Sequence, residues 1–310
     1  MNINNILFVS PMVKDLERLM EKEQIDKNIR YLYEEELRSE DLEWADALVA
    51  FNLRKDYDYS LVSWVHSLGA GVDRFLYKKV WNENAVLTRT VCSFGKRIAE
   101  YCLGYILKNL QFHEQFKEHQ RHRSWNPITP NLLEEQKVLV YGTGEIGQMI
   151  AKTFSLIGVE VFGVSLSGNQ KEYFKEVMTI DAHINRLADI NFIINTLPLT
   201  EKTTNLFNND IFRHVRNAGF INVGRGASLD EHALLDALNQ NHLSFAVLDV
   251  FTHEPLSETH PFWGHPAIMV TPHISAVTTP EEGVSCFIET LKNIEANKPL
   301  LNRVDIKKGY

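Results

Sequence analysis

Three apolar runs in the second half of the chain end in reactive side chains. "FINVGRG" presents Arg225, "VLDVFTHEP" presents Asp249 and Glu254, and "VTPHISA" presents His273. Upstream of them, "VLVYGTGEIG" is an apolar strand running into G-x-G-x-x-G over residues 142–147. In such a turn Gly142 permits the sharp bend, Gly144 lets the backbone approach a pyrophosphate, and Gly147 lets helix and strand pack closely. With Thr143, Glu145 and Ile146 between them, these glycines open a helix, "QMIAKTFSLIG", whose first N–H groups and partial positive charge suit phosphate. Ligands of open parallel sheets bind at the carboxyl ends of strands, so Arg225, Glu254 and His273 are expected around one nucleotide crevice. Taken singly, each has a plain alternative: a solvated loop arginine, a carboxylate capping the segment before Pro255, a histidine satisfying a turn after Pro272. Their succession behind a dinucleotide turn points to a site.

About 20 residues beyond the turn, an NAD-binding unit closes its second strand on Asp or Glu, which holds the ribose 2′-hydroxyl. Here "VEVFGVSLSG" places Ser165 there, followed by Leu166, Ser167 and Gly168. A carboxylate would repel a 2′-phosphate. Ser165 removes that repulsion and offers a hydroxyl, so NADP(H) is favoured, with NAD(H) also admitted. Leu166 stands where NADP sites usually supply an Arg or Lys, and Lys171 is the nearest downstream cation. A further stretch, "LGAGVD" (68–73), has residues small enough to expose a backbone anion nest at Gly69, Ala70 and Gly71. It also reads as an ordinary tight turn.

The elements that must position these groups alternate along the chain. Strands are expected at "ILFVS" (6–10), "ADALVAF" (45–51) and in "WVHSLGAGVD" (64–73), with a helix over "VKDLERLMEKE". One long helix is expected at about 96–120, with Ile98, Cys102, Tyr105, Ile106 and Leu110 on one stripe. A second alternating region then opens at "KVLVYG" (137–142) and continues through "VEVFGV", "NFIINTL", "AGFINVG", "SFAVLDV" and "AIMVTPH". The last helix carries a capping signature, Thr279, Pro280 and Glu282, and a stripe of Val284, Phe287, Ile288, Leu291 and Ile294. Strands alternating with helices imply βαβ units, so the fold class is α/β, two doubly wound parallel-sheet domains with the second of Rossmann type.

A chain of 310 residues is long enough for two such domains. A net charge of −8 opposes a general nucleic-acid or anionic-membrane role, and the small Arg121, His122, Arg123 cluster does not reverse it. No apolar run reaches the ~18 residues of a membrane span, and the N-terminus lacks the pattern of a signal peptide. Cys92, Cys102 and Cys286 form no metal or disulfide spacing, so a cytoplasmic location is expected. His113, His119 and His122 suit a solvated or subunit-contact helix better than a metal site, and Trp263 suits packing.

In this order, "LGAGVD", "GTGEIG", "NVGRG", "DVFTHEP" and "TPHISA" resemble the D-2-hydroxyacid dehydrogenase family over residues 64–280. The "SLGAGVD" loop and the "VDIKKGY" ending look like its glyoxylate/hydroxypyruvate reductase A subgroup. The resemblance implies that Arg225 binds the substrate carboxylate and carbonyl, that His273 is the acid/base, and that Glu254 pairs with it. It also implies that backbone N–H groups at Gly69, Ala70 and Gly71 grip the carboxylate and that Asp249 accepts the nicotinamide carboxamide. Thr196, Leu197 and Pro198 of "TLPLT", with Val223, are expected to lie against the cofactor. The chemistry is consistent: a 2-oxo acid reduction needs a hydride donor, a proton donor and a carboxylate anchor. Arg is a fixed two-pronged cation, and a carboxylate beside His favours the imidazolium that reduction requires.

The expected activity is NAD(P)H-dependent reduction of glyoxylate or hydroxypyruvate to the (R)-2-hydroxy acid. The alternatives are a reductase for larger 2-oxo acids and a non-catalytic dinucleotide sensor. A substrate-binding domain is expected at 1–95 plus 275–310, and a dinucleotide-binding domain at 96–274, with the active site in the cleft between them. A dimer arm at 110–130 would make the protein a homodimer; no nucleic acid, membrane or metal partner is expected.

Overall fold

The computed structural model describes residues 1–51 and 53–309, so Tyr310, the end of the "VDIKKGY" tail, lies outside the described residues. The chain forms two compact units, Met1–Phe94 with the stretch from Val277 onward, and Gly95–Ala276.

In the first unit, β1 (Asn5–Val9), β2 (Asn28–Leu32), β3 (Ala47–Ala50), β4 (Trp64–Ser67) and β5 (Val86–Arg89) pair in parallel in the order β2-β1-β3-β4-β5. Alternate residues of each strand feed two cores. Leu7, Val9, Leu48, Val65 and Leu87 enter one, while Ile6, Phe8, Val49 and Trp64 enter the other. Burial on both faces is why the central strands read as unbroken apolar runs. Helices α1 (Val13–Met20), α2 (Ser39–Trp44) and α3 (Asp73–Leu76) connect them.

At the start of the second unit the expected single helix at 96–120 is two. α4 (Phe94–Leu110) buries Ile98, Cys102, Ile106 and Leu110. The chain then turns at Phe112, with φ +53°, into α5 (His113–Arg121), which buries nothing. The break falls where the apolar stripe ends, without a Gly or Pro to announce it.

The second unit continues with β6 (Lys137–Tyr141), α6 (Glu145–Ser155), β7 (Glu160–Ser165), β8 (Glu176–Thr179), β9 (Phe192–Asn195), α7 (Asn209–Phe212), β10 (Ala218–Asn222), α8 (Glu231–Asn239), β11 (Leu243–Leu248) and β12 (Ile268–Val270). Its parallel sheet runs β12-β11-β10-β9-β6-β7-β8. The strand order reverses between β6 and β9, the switch point at which doubly wound sheets bind nucleotides. The chain then returns to the first unit through α9 (Pro280–Glu295), whose expected stripe of Val284, Phe287, Ile288, Leu291 and Ile294 is buried against the β1 and β4 side chains. Its capping box is present: the Thr279 hydroxyl accepts from the Glu282 N–H, and the Glu282 carboxylate accepts from the Thr279 N–H.

Candidate active site

The turn between β6 and α6 has the geometry that its glycines imply. Gly142 has φ +97°, and a Cβ on Gly147 would stand 1.8 Å from the Gly142 carbonyl oxygen, so no side chain fits there. By contrast, a Cβ on Gly144 would meet nothing within 4 Å. The side from which a pyrophosphate would approach is therefore open. Gly144 caps α6 without a side-chain acceptor, which leaves the first helical N–H groups for an anion. Thr196, just past β9, closes the crevice floor by donating its hydroxyl to the Tyr141 carbonyl at 2.8 Å. These residues fit a dinucleotide.

At the end of β7, the Ser165 hydroxyl oxygen accepts from the Gly168 N–H at 3.1 Å, and that of Ser167 accepts from the Asn169 N–H at 3.3 Å. The Ser165 hydroxyl thus keeps its own proton for a ligand. Leu166 is 55% exposed, and Lys171 is on the surface of the same loop. Gln170, which sequence reading passed over, braces that loop by donating to the Phe174 carbonyl and accepting from the Val177 N–H.

Arg225 follows β10 in extended backbone. Its carbonyl is fixed by the Ser228 hydroxyl at 2.6 Å and the Asn222 amide at 3.2 Å. Asn222 and Ser228 both accept from the amide of Asn195, and all three are buried. Sequence reading missed this network; its one signal was the amide that ends each of two apolar strands, "FIIN" and "AGFIN". Val223 is buried in the core, and Leu197 is 9% exposed, with its N–H on Asn195. The Pro198 carbonyl accepts from the Thr203 hydroxyl.

Glu254 and His273 meet. The Nδ1 of His273 lies 2.8 Å from Oε2 of Glu254, while Oε1 of Glu254 accepts from the Phe251 N–H at 2.9 Å. Burial would raise the Glu254 carboxyl, but the His273 hydrogen bond and charge, the Phe251 N–H and the nearby Arg225 cation together hold it below the usual range. An ionised carboxylate therefore faces the imidazole at neutral pH. His273 has φ +56°, an αL conformation uncommon outside glycine.

That loop is anchored by Asp249. Its carboxylate is fully buried and accepts from the Thr271 hydroxyl at 2.7 Å, the Ile274 N–H at 2.8 Å and the Ser275 N–H at 2.9 Å. The contact expected of it, with a nicotinamide carboxamide, would have to use the remaining lone pair of Oδ2. Because Thr271 has given its proton to Asp249, the Tyr101 hydroxyl 2.6 Å away donates to Thr271. Burial pushes that phenol upward, so it stays protonated.

In the first unit, the 68–73 loop follows β4. The Gly69 N–H is taken by the Ser67 hydroxyl oxygen at 3.3 Å. The N–H groups of Ala70 and Gly71 meet no intrachain acceptor among the described residues. No group of three His, Cys, Asp or Glu is placed to hold a metal ion among the described residues, and His122 instead pairs with Glu118 at 2.8 Å. No helix there is long and apolar enough to cross a membrane.

The sequence relationships agree with this geometry. Residues 103–275 match the family model described as D-isomer specific 2-hydroxyacid dehydrogenase, NAD binding domain. The glyoxylate/hydroxypyruvate reductase A of Serratia proteamaculans is 31% identical over 253 residues, which cover 79% of this chain and 81% of that one. The crystal structure of a D-isomer specific 2-hydroxyacid dehydrogenase family protein from Aeromonas salmonicida superimposes with a TM-score of 0.87 at 31% identity, covering 98% of this chain and all (100%) of the other. A D-isomer specific 2-hydroxyacid dehydrogenase from Xanthobacter autotrophicus, solved with NADPH and MES, gives a TM-score of 0.86 at 27% identity, with 100% of both chains covered. With a glycine turn built for a dinucleotide and this degree of likeness along most of its length, the chain belongs to the D-isomer specific 2-hydroxyacid dehydrogenase family and is an NAD(P)-dependent enzyme.

Proposed function

We propose that the protein reduces a small 2-oxo acid, glyoxylate to glycolate or hydroxypyruvate to the (R)-2-hydroxy acid, and that it prefers NADPH to NADH. The observation that carries this reading is the His273–Glu254 pair at 2.8 Å, with the second Glu254 oxygen tied to the backbone. A bound reduced nicotinamide supplies the hydride. The chain supplies the rest. Glu254 occupies Nδ1 of His273, so Nε2 is the nitrogen left to hold a proton and give it to the developing alkoxide. The negative charge of Glu254 favours the imidazolium that must do so. Arg225 offers its guanidinium to the carboxylate and carbonyl of the same substrate. The loop N–H groups of Ala70 and Gly71 are the further carboxylate donors in this reading. A dinucleotide sensor would need no such proton donor.

The NADPH preference rests on Ser165. It brings no negative charge to the ribose, and its hydroxyl proton is available because Gly168 donates to its oxygen. The NADPH held by the Xanthobacter protein and the activity named for the Serratia relative support both parts of the reading. The arm at 110–130 would pair two copies: α5 buries none of its residues and Trp125 is 98% exposed.

Oxidation of NADPH and NADH should be followed side by side with glyoxylate and hydroxypyruvate as acceptors. Fast turnover with NADPH and slow turnover with NADH is expected. A preference for NADH would refute the role given to Ser165 and leave the reductase standing.

A further inference from the structure

The carbonyl groups of the 68–71 loop are gathered, one after another, on side-chain donors. The Thr278 hydroxyl donates to the Leu68 carbonyl at 2.8 Å. Arg89 donates from Nη1 to the Ala70 carbonyl at 3.2 Å. The Ser67 hydroxyl lies 3.1 Å from the Gly69 carbonyl and 2.9 Å from the Gly71 carbonyl, and shares its one proton between them. Four consecutive carbonyls thus point at three donors, one at the end of β4, one on β5 and one just before α9.

A trans peptide opposes its C=O to its N–H. Drawing the Gly69 and Ala70 carbonyls toward Ser67 and Arg89 therefore turns the Ala70 and Gly71 N–H groups the other way. Among the described residues, neither of those two meets an acceptor in the chain. The donors are themselves held. Thr278 is 3% exposed, and a Cβ on Gly283 in α9 would come within 3.2 Å of the Leu68 side chain, so the helix start packs closely on the loop. The Arg89 backbone exchanges hydrogen bonds with Asn302, whose amide also reaches Thr290 of α9. Arg89 adds a permanent positive charge beside the loop.

We propose that Arg89 and Thr278, with Ser67, are positioning residues that hold the 68–71 loop in its anion-binding form and so set the affinity for the substrate carboxylate. This rests on the carboxylate role given to that loop above.

The test uses the full-length enzyme and the variants Arg89→Met and Thr278→Val, with Arg89→Lys and Thr278→Ser as conservative partners. KM for glyoxylate at saturating NADPH, inhibition by oxamate, and NADPH affinity by fluorescence titration are measured for each. KM and the oxamate inhibition constant should rise about tenfold in the Met and Val variants, as for the loss of one hydrogen bond at the loop. kcat should fall less, because a grip on the carboxylate is felt alike in ground and transition states. NADPH affinity should stay within about twofold, and Thr278→Ser should restore KM. Unchanged KM and oxamate inhibition in both variants would overturn the proposal, as would a loss of NADPH affinity as large as the change in KM. Failure of the underlying reading shows separately, in a wild-type enzyme that neither turns over a 2-oxo acid nor binds oxamate.

Discussion

Glu254 does two jobs with its two oxygens: one is pinned by the Phe251 N–H and the other meets Nδ1 of His273. Because its carboxyl lies below the usual range, it is ionised throughout the pH interval in which an imidazole titrates. Glu254→Gln keeps the shape and removes the charge. The imidazole then loses its charged partner, so kcat should fall by about 10–100-fold at neutral pH. kcat of both proteins at neutral pH reads this; equal values would show that the carboxylate does not act through His273. At this scale Arg225, Glu254 and His273 were legible as candidates, because each follows an apolar strand behind a dinucleotide turn. Their supports were not. Asn195 and Asn222 show only as amides ending apolar strands and Ser228 not at all, since their role depends on which strands become neighbours. Asp249 was legible as a strand-end acid, but its hydrogen bonds to Thr271, Ile274 and Ser275 come from a loop it meets only in the fold.

At the scale of elements, the β6–α6 turn is the least forgiving part of the structure. Gly147→Ala would put a methyl group 1.8 Å from the Gly142 carbonyl, and both atoms are fixed by backbone. The turn must open, so NADPH affinity should fall by at least about tenfold and the melting temperature by several degrees, on the order of 1–3 kcal/mol of overpacking. Fluorescence titration and calorimetry check both, and a variant with wild-type affinity would mean that the turn does not shape the cofactor site. The buried elements were readable from their apolar runs and stripes, α9 above all. The edge strands β2, β5 and β8 were not, because one side of an edge has no neighbour and the run is interrupted: "NIRYL" is only partly buried. Nor was the division of the 96–120 helix legible, since "LQFHE" lacks a breaking residue and Phe112 adopts a left-handed backbone there.

For the first unit as a whole, stability should depend on acidity through a buried group that takes no part in the chemistry. His66 on β4 is fully buried between Thr88, Thr90, Trp64 and Phe287, and burial pushes its imidazole down to about 3. It is therefore neutral in the folded unit. Below the unfolded value of about 6.5 the unfolded chain binds a proton there that the folded unit refuses, so stability falls as pH drops toward 3. One such group contributes at most about 1.4 kcal/mol per pH unit. Melting temperature against pH for wild type and His66→Gln should converge on acidification, the variant having the shallower slope. Parallel curves would contradict a neutral buried His66.

The central claim is that His273 delivers the proton in an NADPH-dependent reduction. The most direct measurement is kcat/KM for glyoxylate and for hydroxypyruvate, with NADPH, in wild type and in His273→Ala, with NADPH binding checked in both. The expected result is a loss of about 10²–10⁴ in kcat/KM with NADPH affinity retained. A His273→Ala protein that still reduced both acids at the wild-type rate would contradict the account.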